Sequence, residues 1–233
     1  MLAACSRFLS ALVLVGAGLL ASHSAASTLD SLPLGDLNRG IKTALEQGAR
    51  TAVNTLGRPD GFWGHPRLRI PLPEAVRQSR STLLAMGRGK QLDELERGVN
   101  RVAEQALPLA QPILLDAIRD LIVYDGKGIV RGSPDAATQY FRSRTQADLA
   151  RRLQPVVKQL ADRYGLARIY NGLAEKARPL SLSNNEHATV EQYVTARALD
   201  GLYATMAEQE RKLRANPAAA SSEAVRKVFG SRR

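Results

Sequence analysis

A single cysteine, Cys5, among 233 residues rules out a disulfide within the chain and any zinc site of the multi-cysteine kind. Aromatic residues make up only 5%, and runs of β-branched residues are missing, so the usual strand formers are scarce. Of three histidines, His65 and His187 lie beyond the first 26 residues. Neither stands in an HExxH arrangement, and His187 beside Glu186 reads as a solvated pair, so no metal and no cofactor are expected. A phosphate loop is also missing: Gly126-Lys127-Gly128 lacks the full spacing and the following hydroxyl, and reads as a surface turn. No serine occupies a GxSxG elbow, and nothing nominates a catalytic nucleophile. There is no internal repeat of 20–50 residues and no two-residue hairpin turn between alternating strands.

What is present begins at the N-terminus. Met1 to Arg7 carries one positive charge, Phe8 to Ala21 is almost unbroken apolar sequence, and Ser24-Ala25-Ala26 offers small residues for a signal peptidase. That order is the layout of a secretory signal at residues 1–26. The apolar run spans 14 residues, short of the roughly 20 that cross a bilayer. The expectation is a cleaved leader and an exported, periplasmic protein without a transmembrane helix after cleavage. Leu2-Ala3-Ala4-Cys5 has the letters of a lipoprotein box, but the cysteine precedes the apolar run instead of following it, so lipid anchoring at Cys5 is not expected. Stability of residues 27–233 must then come from packing alone.

The formal charge is +11, of which only Arg7 lies in the leader. Residues 58–90 hold seven basic and two acidic side chains, residues 139–178 nine and three, and residues 91–138 five and eight. Such blocks fit either solvated helix faces or attraction to a polyanion. An exported chain without aromatic stacking series points away from nucleic acid and toward an anionic envelope component or a protein partner.

Alanine, leucine, arginine and glutamate abound, and apolar residues recur at helical spacing almost throughout. The reading is all-α: a single compact helical domain of about eight or nine helices. Leu37, Ile41, Leu45, Ala52 and Leu56 line a first helix ending at Gly57. An irregular proline-rich loop follows at 58–73, with Phe62 and Trp63 inside it. A helix is expected from Glu74 to Met86, and another carries Leu92, Leu95, Val99, Val102 and Ala106. Pro108 and Pro112 then break or kink the path into a helix with Ile113, Ala117, Leu121 and Ile122. Ser133-Pro134-Asp135 predicts a helix start, Thr145 with Asp148 resembles a capping box for the next helix, and that helix stops at Gly165. Ile169, Tyr170 and Leu173 mark another. After a polar loop from Ser181 to His187, a long helix runs from Val190 to Leu213, and a short one from Ser222 to Phe229.

Several segments share a wording. Asp60-Gly61-Phe62, Arg69-Ile70-Pro71-Leu72-Pro73, Ala136-Ala137-Thr138-Gln139-Tyr140-Phe141-Arg142, Tyr193-Val194-Thr195, Ala198-Leu199-Asp200-Gly201-Leu202 and Asn216-Pro217-Ala218-Ala219 with Lys227-Val228-Phe229-Gly230 resemble the bacterial exported-protein family of domain of unknown function 4197. The resemblance covers nearly all of residues 27–233 in order. It implies a helical, envelope-located domain and no particular activity. Trp63 and His65 stand at loop positions expected to vary in the family, which weakens a site built on those two.

The candidate binding residues come from helical spacing. Thr138, Arg142 and Thr145 share one helix face, and Tyr193, Arg197 and Asp200 share another. Two such faces in contact either fix helix register through an arginine–aspartate pair or form a pocket for an anionic or polyhydroxyl ligand. Arg67 and Arg69 in the proline-rich loop are a second candidate. The expected function is a non-enzymatic, exported cell-envelope protein that binds an anionic ligand, a membrane surface or a protein partner. Its alternatives are a periplasmic enzyme using the Thr/Arg/Asp surface, and a purely structural or assembly role.

Overall fold

The computed structural model describes residues 29–177 and 189–231. The leader with Cys5 and the polar loop Ser181 to His187 lie outside the described residues. Nine α-helices and no strand occur among the described residues. They are α1 (Leu34–Leu56), α2 (Glu74–Gln78), α3 (Arg80–Ala85), α4 (Gly89–Arg119), α5 (Gly126–Arg131), α6 (Ala136–Arg163), α7 (Leu166–Ala177), α8 (Val190–Ala215) and α9 (Glu223–Gly230).

The four long helices form the core. Each of α1, α4, α6 and α8 packs chiefly on two of the others, in the cyclic order α1, α4, α6, α8 and back to α1. The apolar stripes read from the sequence face inward: Leu37, Ile41 and Leu56 of α1, Leu92, Val99 and Leu107 of α4, Leu149, Leu153 and Val157 of α6, and Val194, Ala198 and Leu202 of α8 are all buried. Burial of each such leucine or valine removes it from water and contributes about 2 kcal/mol. One close approach is set by a missing side chain. A Cβ on Gly201 would sit 2.5 Å from Phe62 Cε1, so glycine on α8 leaves room for a fully buried ring from the proline-rich loop.

Smaller helices cover the core. α7 lies against α4 and α2, and α9 lies against α1. There α9 meets the start of α1, where Lys227 Nζ donates to Asp36 Oδ2 at 2.6 Å. Thr189 caps α8 by accepting from the Gln192 amide at 3.2 Å.

The sequence pattern and the structure part company at six places, one of them at Leu121 and Ile122, which were expected on the helix with Ile113 and Ala117 but lie beyond the end of α4 at Arg119. Pro108 and Pro112 lie inside one continuous helix, α4. Both rings sit on its exposed side, so the helix runs through them without driving a ring into the core. Likewise α6 runs on through Thr145, whose hydroxyl donates back to the Phe141 carbonyl at 2.7 Å instead of capping a new start. The stretch expected to form one helix from Glu74 to Met86 is divided at Ser79 into α2 and α3. Gly126-Lys127-Gly128 opens α5, not a surface turn, because Asp125 accepts from the Gly128 amide at 2.7 Å. Finally, the Ser133 hydroxyl donates to Asp135 at 3.1 Å and leaves the first amides of α6 to a different partner.

Candidate functional site

On α6 and α8 the two predicted faces do meet, but only part of each takes part. Arg142 Nη2 donates to Asp200 Oδ1 at 2.7 Å, and Arg197 Nη2 lies 3.3 Å from Asp200 Oδ2. One carboxylate therefore holds two guanidiniums, one on each oxygen. Arg142 also donates to Gln146 at 3.0 Å and lies over the Tyr203 ring at 5.5 Å. Thr145 joins at the edge, 3.3 Å from the Tyr203 hydroxyl. Thr138 turns away to Glu210, and Tyr193 donates its hydroxyl to the Pro71 carbonyl at 2.8 Å. Burial pushes the Tyr193 and Tyr203 hydroxyls up to about 12, so both are neutral at ordinary pH. The trio carries one net positive charge and no nucleophile, and its own pairing ties α6 to α8.

The second candidate, the 58–73 segment, is fastened to α4 by two buried side chains. Asn100 accepts from the Ile70 amide and donates to the Ile70 carbonyl, both at 2.8 Å. Glu104 accepts from the Phe62 and Trp63 amides at 3.1 and 2.9 Å and from Arg101 at 2.6 Å. Arg101 reaches on to Asp60 at 2.7 Å, which steadies the backbone where Asp60 has φ 63°. His65 is spent on the turn: its Nδ1 accepts from the Arg67 and Leu68 amides at 3.2 and 3.1 Å.

This clamped segment displays an aromatic ring between cations. Arg69 stacks on Trp63 at 3.6 Å and Arg97 of α4 lies 5.2 Å from the same ring. Glu96 is shared between Arg69 at 3.2 Å and Arg80 at 3.6 Å. Arg67 is mostly exposed, with Glu208 a distant 3.9 Å away.

The sequence reading missed a buried ion pair, Glu210 and Arg214 of α8, whose side chains are 5% and 2% exposed. Glu210 accepts from the Ala137 and Thr138 amides at 2.9 and 2.7 Å and from the Thr138 hydroxyl at 2.7 Å. Arg214 donates to Glu210 at 2.7 Å and to the Val130 and Ile129 carbonyls at 2.7 and 3.0 Å. A carboxylate thus caps the positive start of α6 while a guanidinium caps the negative end of α5. The signal available in the sequence was the i,i+4 spacing, which surface pairs share.

An open groove of about 480 Å³ lies between α1 and the end of α8, lined by Gln47, Thr51, Gln209, Lys212, Asn216 and Ser221 among others. No group of three or more His, Cys, Asp or Glu among the described residues could hold a metal ion. No helix among them is long and apolar enough to cross a membrane.

Fold and side chains together define an all-α domain on a four-helix core, with its buried charges used to fasten helix ends and a loop. Residues 31–230 match the family model described as a protein of unknown function (DUF4197), and the chain belongs to that family. No curated protein and no solved structure matches it.

Proposed function

We propose that the protein is an exported, non-enzymatic component of the cell envelope that binds an anionic partner through the basic face made by the 58–73 segment, α3 and the first half of α4. The observation that carries this reading is the charge balance around Trp63. Arg69 and Arg97 lie against its ring, Arg80 joins Arg69 through the shared Glu96, and Asp93 is 3.8 Å from Arg80. Arg97 has no carboxylate partner among the described residues. The segment is held rigidly enough for the excess charge to be presented in one geometry, since Asn100 and Glu104 fix its backbone. By contrast, both guanidiniums of the Arg142, Arg197 and Asp200 trio are paired with a carboxylate. The leader at residues 1–26 supports export.

Binding to polyphosphate and to anionic vesicles, measured at low and high salt, tests the reading. The expected result is binding that weakens steeply with salt and falls about tenfold or more in Arg69→Gln/Arg97→Gln, as the loss of two charges near an anionic surface implies. Absence of binding at low salt, or an unchanged affinity in that variant, overturns it. For export, cell fractionation with N-terminal sequencing is expected to find the chain outside the cytoplasm and cut after Ala26; an intact leader in the cytoplasmic fraction removes that part.

A further inference from the structure

At the α3–α4 turn two apolar side chains point into solvent: Leu84 is 48% exposed and Met86 50%. The helix ending that carries them is closed by two backbone hydrogen bonds. The Gly87 amide donates to the Leu84 carbonyl and the Arg88 amide to the Leu83 carbonyl, both at 2.9 Å. Gly87 has φ +73°, the left-handed position at which this kind of helix ending requires glycine. In the usual form of that ending, the residue after the glycine is apolar and packs back on the helix. Here it is Arg88. The exposed pair, the tip, therefore sits on a defined helix ending and not on a frayed end.

The charged residues next to the tip along the chain, Arg88 and Lys90, are both cations. Arg88 bonds only to Gln91, at 3.4 Å, and Lys90 has no carboxylate partner among the described residues. Arg80, one turn before Leu84, leans toward Asp93 at 3.8 Å and Glu96 at 3.6 Å. Arg77 is tied to Glu74. Asp93 and Glu94 are the nearest carboxylates beyond the tip, in the first turns of α4, and Asp93 already faces Arg80. Through Glu96 the tip is continuous with Arg69, Trp63 and Arg97.

We infer that the anionic partner is a phospholipid bilayer surface and that the α3–α4 tip is its point of entry, an inference that rests on the anion-binding reading above. Leu84 and Met86 enter the headgroup and upper acyl region, while Arg80, Arg88 and Lys90 meet lipid phosphates. Apolar side chains flanked by cations fit that boundary, where an apolar body gains from the upper acyl region and the cations meet phosphates. A soluble polyanion would use the cations and gain nothing from Leu84 and Met86.

Sedimentation of the purified protein with phosphatidylglycerol-containing vesicles, with phosphatidylcholine vesicles and with polyphosphate as competitor tests the inference. Anionic vesicles alone are expected to carry the protein down. Arg88→Gln/Lys90→Gln is expected to lower that affinity about 30-fold at low salt. Leu84→Ser/Met86→Ser is expected to bind polyphosphate as before, yet to lose about tenfold in vesicle affinity at high salt, where the charge contribution is screened. Both positions are exposed, so unchanged thermal melting checks that each variant folds. Full vesicle binding by Leu84→Ser/Met86→Ser at both salt concentrations overturns the tip and leaves the anion-binding reading standing. Binding to polyphosphate but not to anionic vesicles overturns the lipid as partner. Failure to bind either overturns both readings.

Discussion

Glu210 shows how one side chain can decide a corner of a fold. Its carboxylate meets two amides, a hydroxyl and a guanidinium in a site shut off from water. Removing one member of such a buried pair leaves the other charge without compensation, at a cost of about 3–5 kcal/mol. Glu210→Ala is therefore expected to lower the unfolding free energy by that amount in chemical denaturation, and Glu210→Ala/Arg214→Met to recover part of it. A loss below about 1 kcal/mol in the single variant would contradict the geometry. The Arg142–Asp200 pair, with side chains 45% and 32% exposed, belongs to the class worth less than about 1 kcal/mol. Spacing could not separate these two cases in advance. It places Thr138 beside Arg142 and Thr145 on α6, but only the position of α8 shows that Thr138 faces Glu210 while Arg142 faces Asp200.

Helix boundaries were legible wherever a local signal had no competitor. The C-terminal ends of α1 and α9 follow from apolar spacing and from Gly57 and Gly230. Failure came where local chemistry had two outcomes. Proline lacks a donor in any helix, yet α4 runs on through Pro108 and Pro112, both on its solvent side. Gly126 and Gly128 have poor helix propensity, yet Asp125 offsets it at the N-cap of α5. The second binding candidate was legible as a proline-rich loop with arginines, whereas its fastening was not, because Asn100 and Glu104 lie on α4, some 30 and 41–42 residues along the chain from their partners. Asn100→Ala or Glu104→Ala is expected to free the 58–73 segment first: limited proteolysis should cut there well before the long helices give way. Cleavage beginning elsewhere at the unmodified rate would remove that role.

For the molecule as a whole, alkaline pH is the revealing condition. Burial holds the Tyr193 and Tyr203 hydroxyls at about 12 in the folded chain, against roughly 10 for an exposed tyrosine. The neutral form is thus favoured by folding. Its contribution is complete below about pH 10 and is lost as the pH climbs from there toward 12. The melting temperature is expected to fall over that interval, and to fall less steeply in Tyr193→Phe/Tyr203→Phe; equal slopes would mean that other groups govern the decline. Since no disulfide can form, nothing covalent holds the four-helix core when these contributions go.

The joint made by Glu210 and Arg214 also sets an order of events. Its partners, from Ile129 to Thr138, precede it by 72 to 85 residues. A chain emerging from a ribosome or a translocation channel has made the end of α5 and the start of α6 long before the groups that cap them exist. That corner must wait, hydrated, until α8 arrives, so the middle of this protein can finish folding only after nearly all of its length has been delivered.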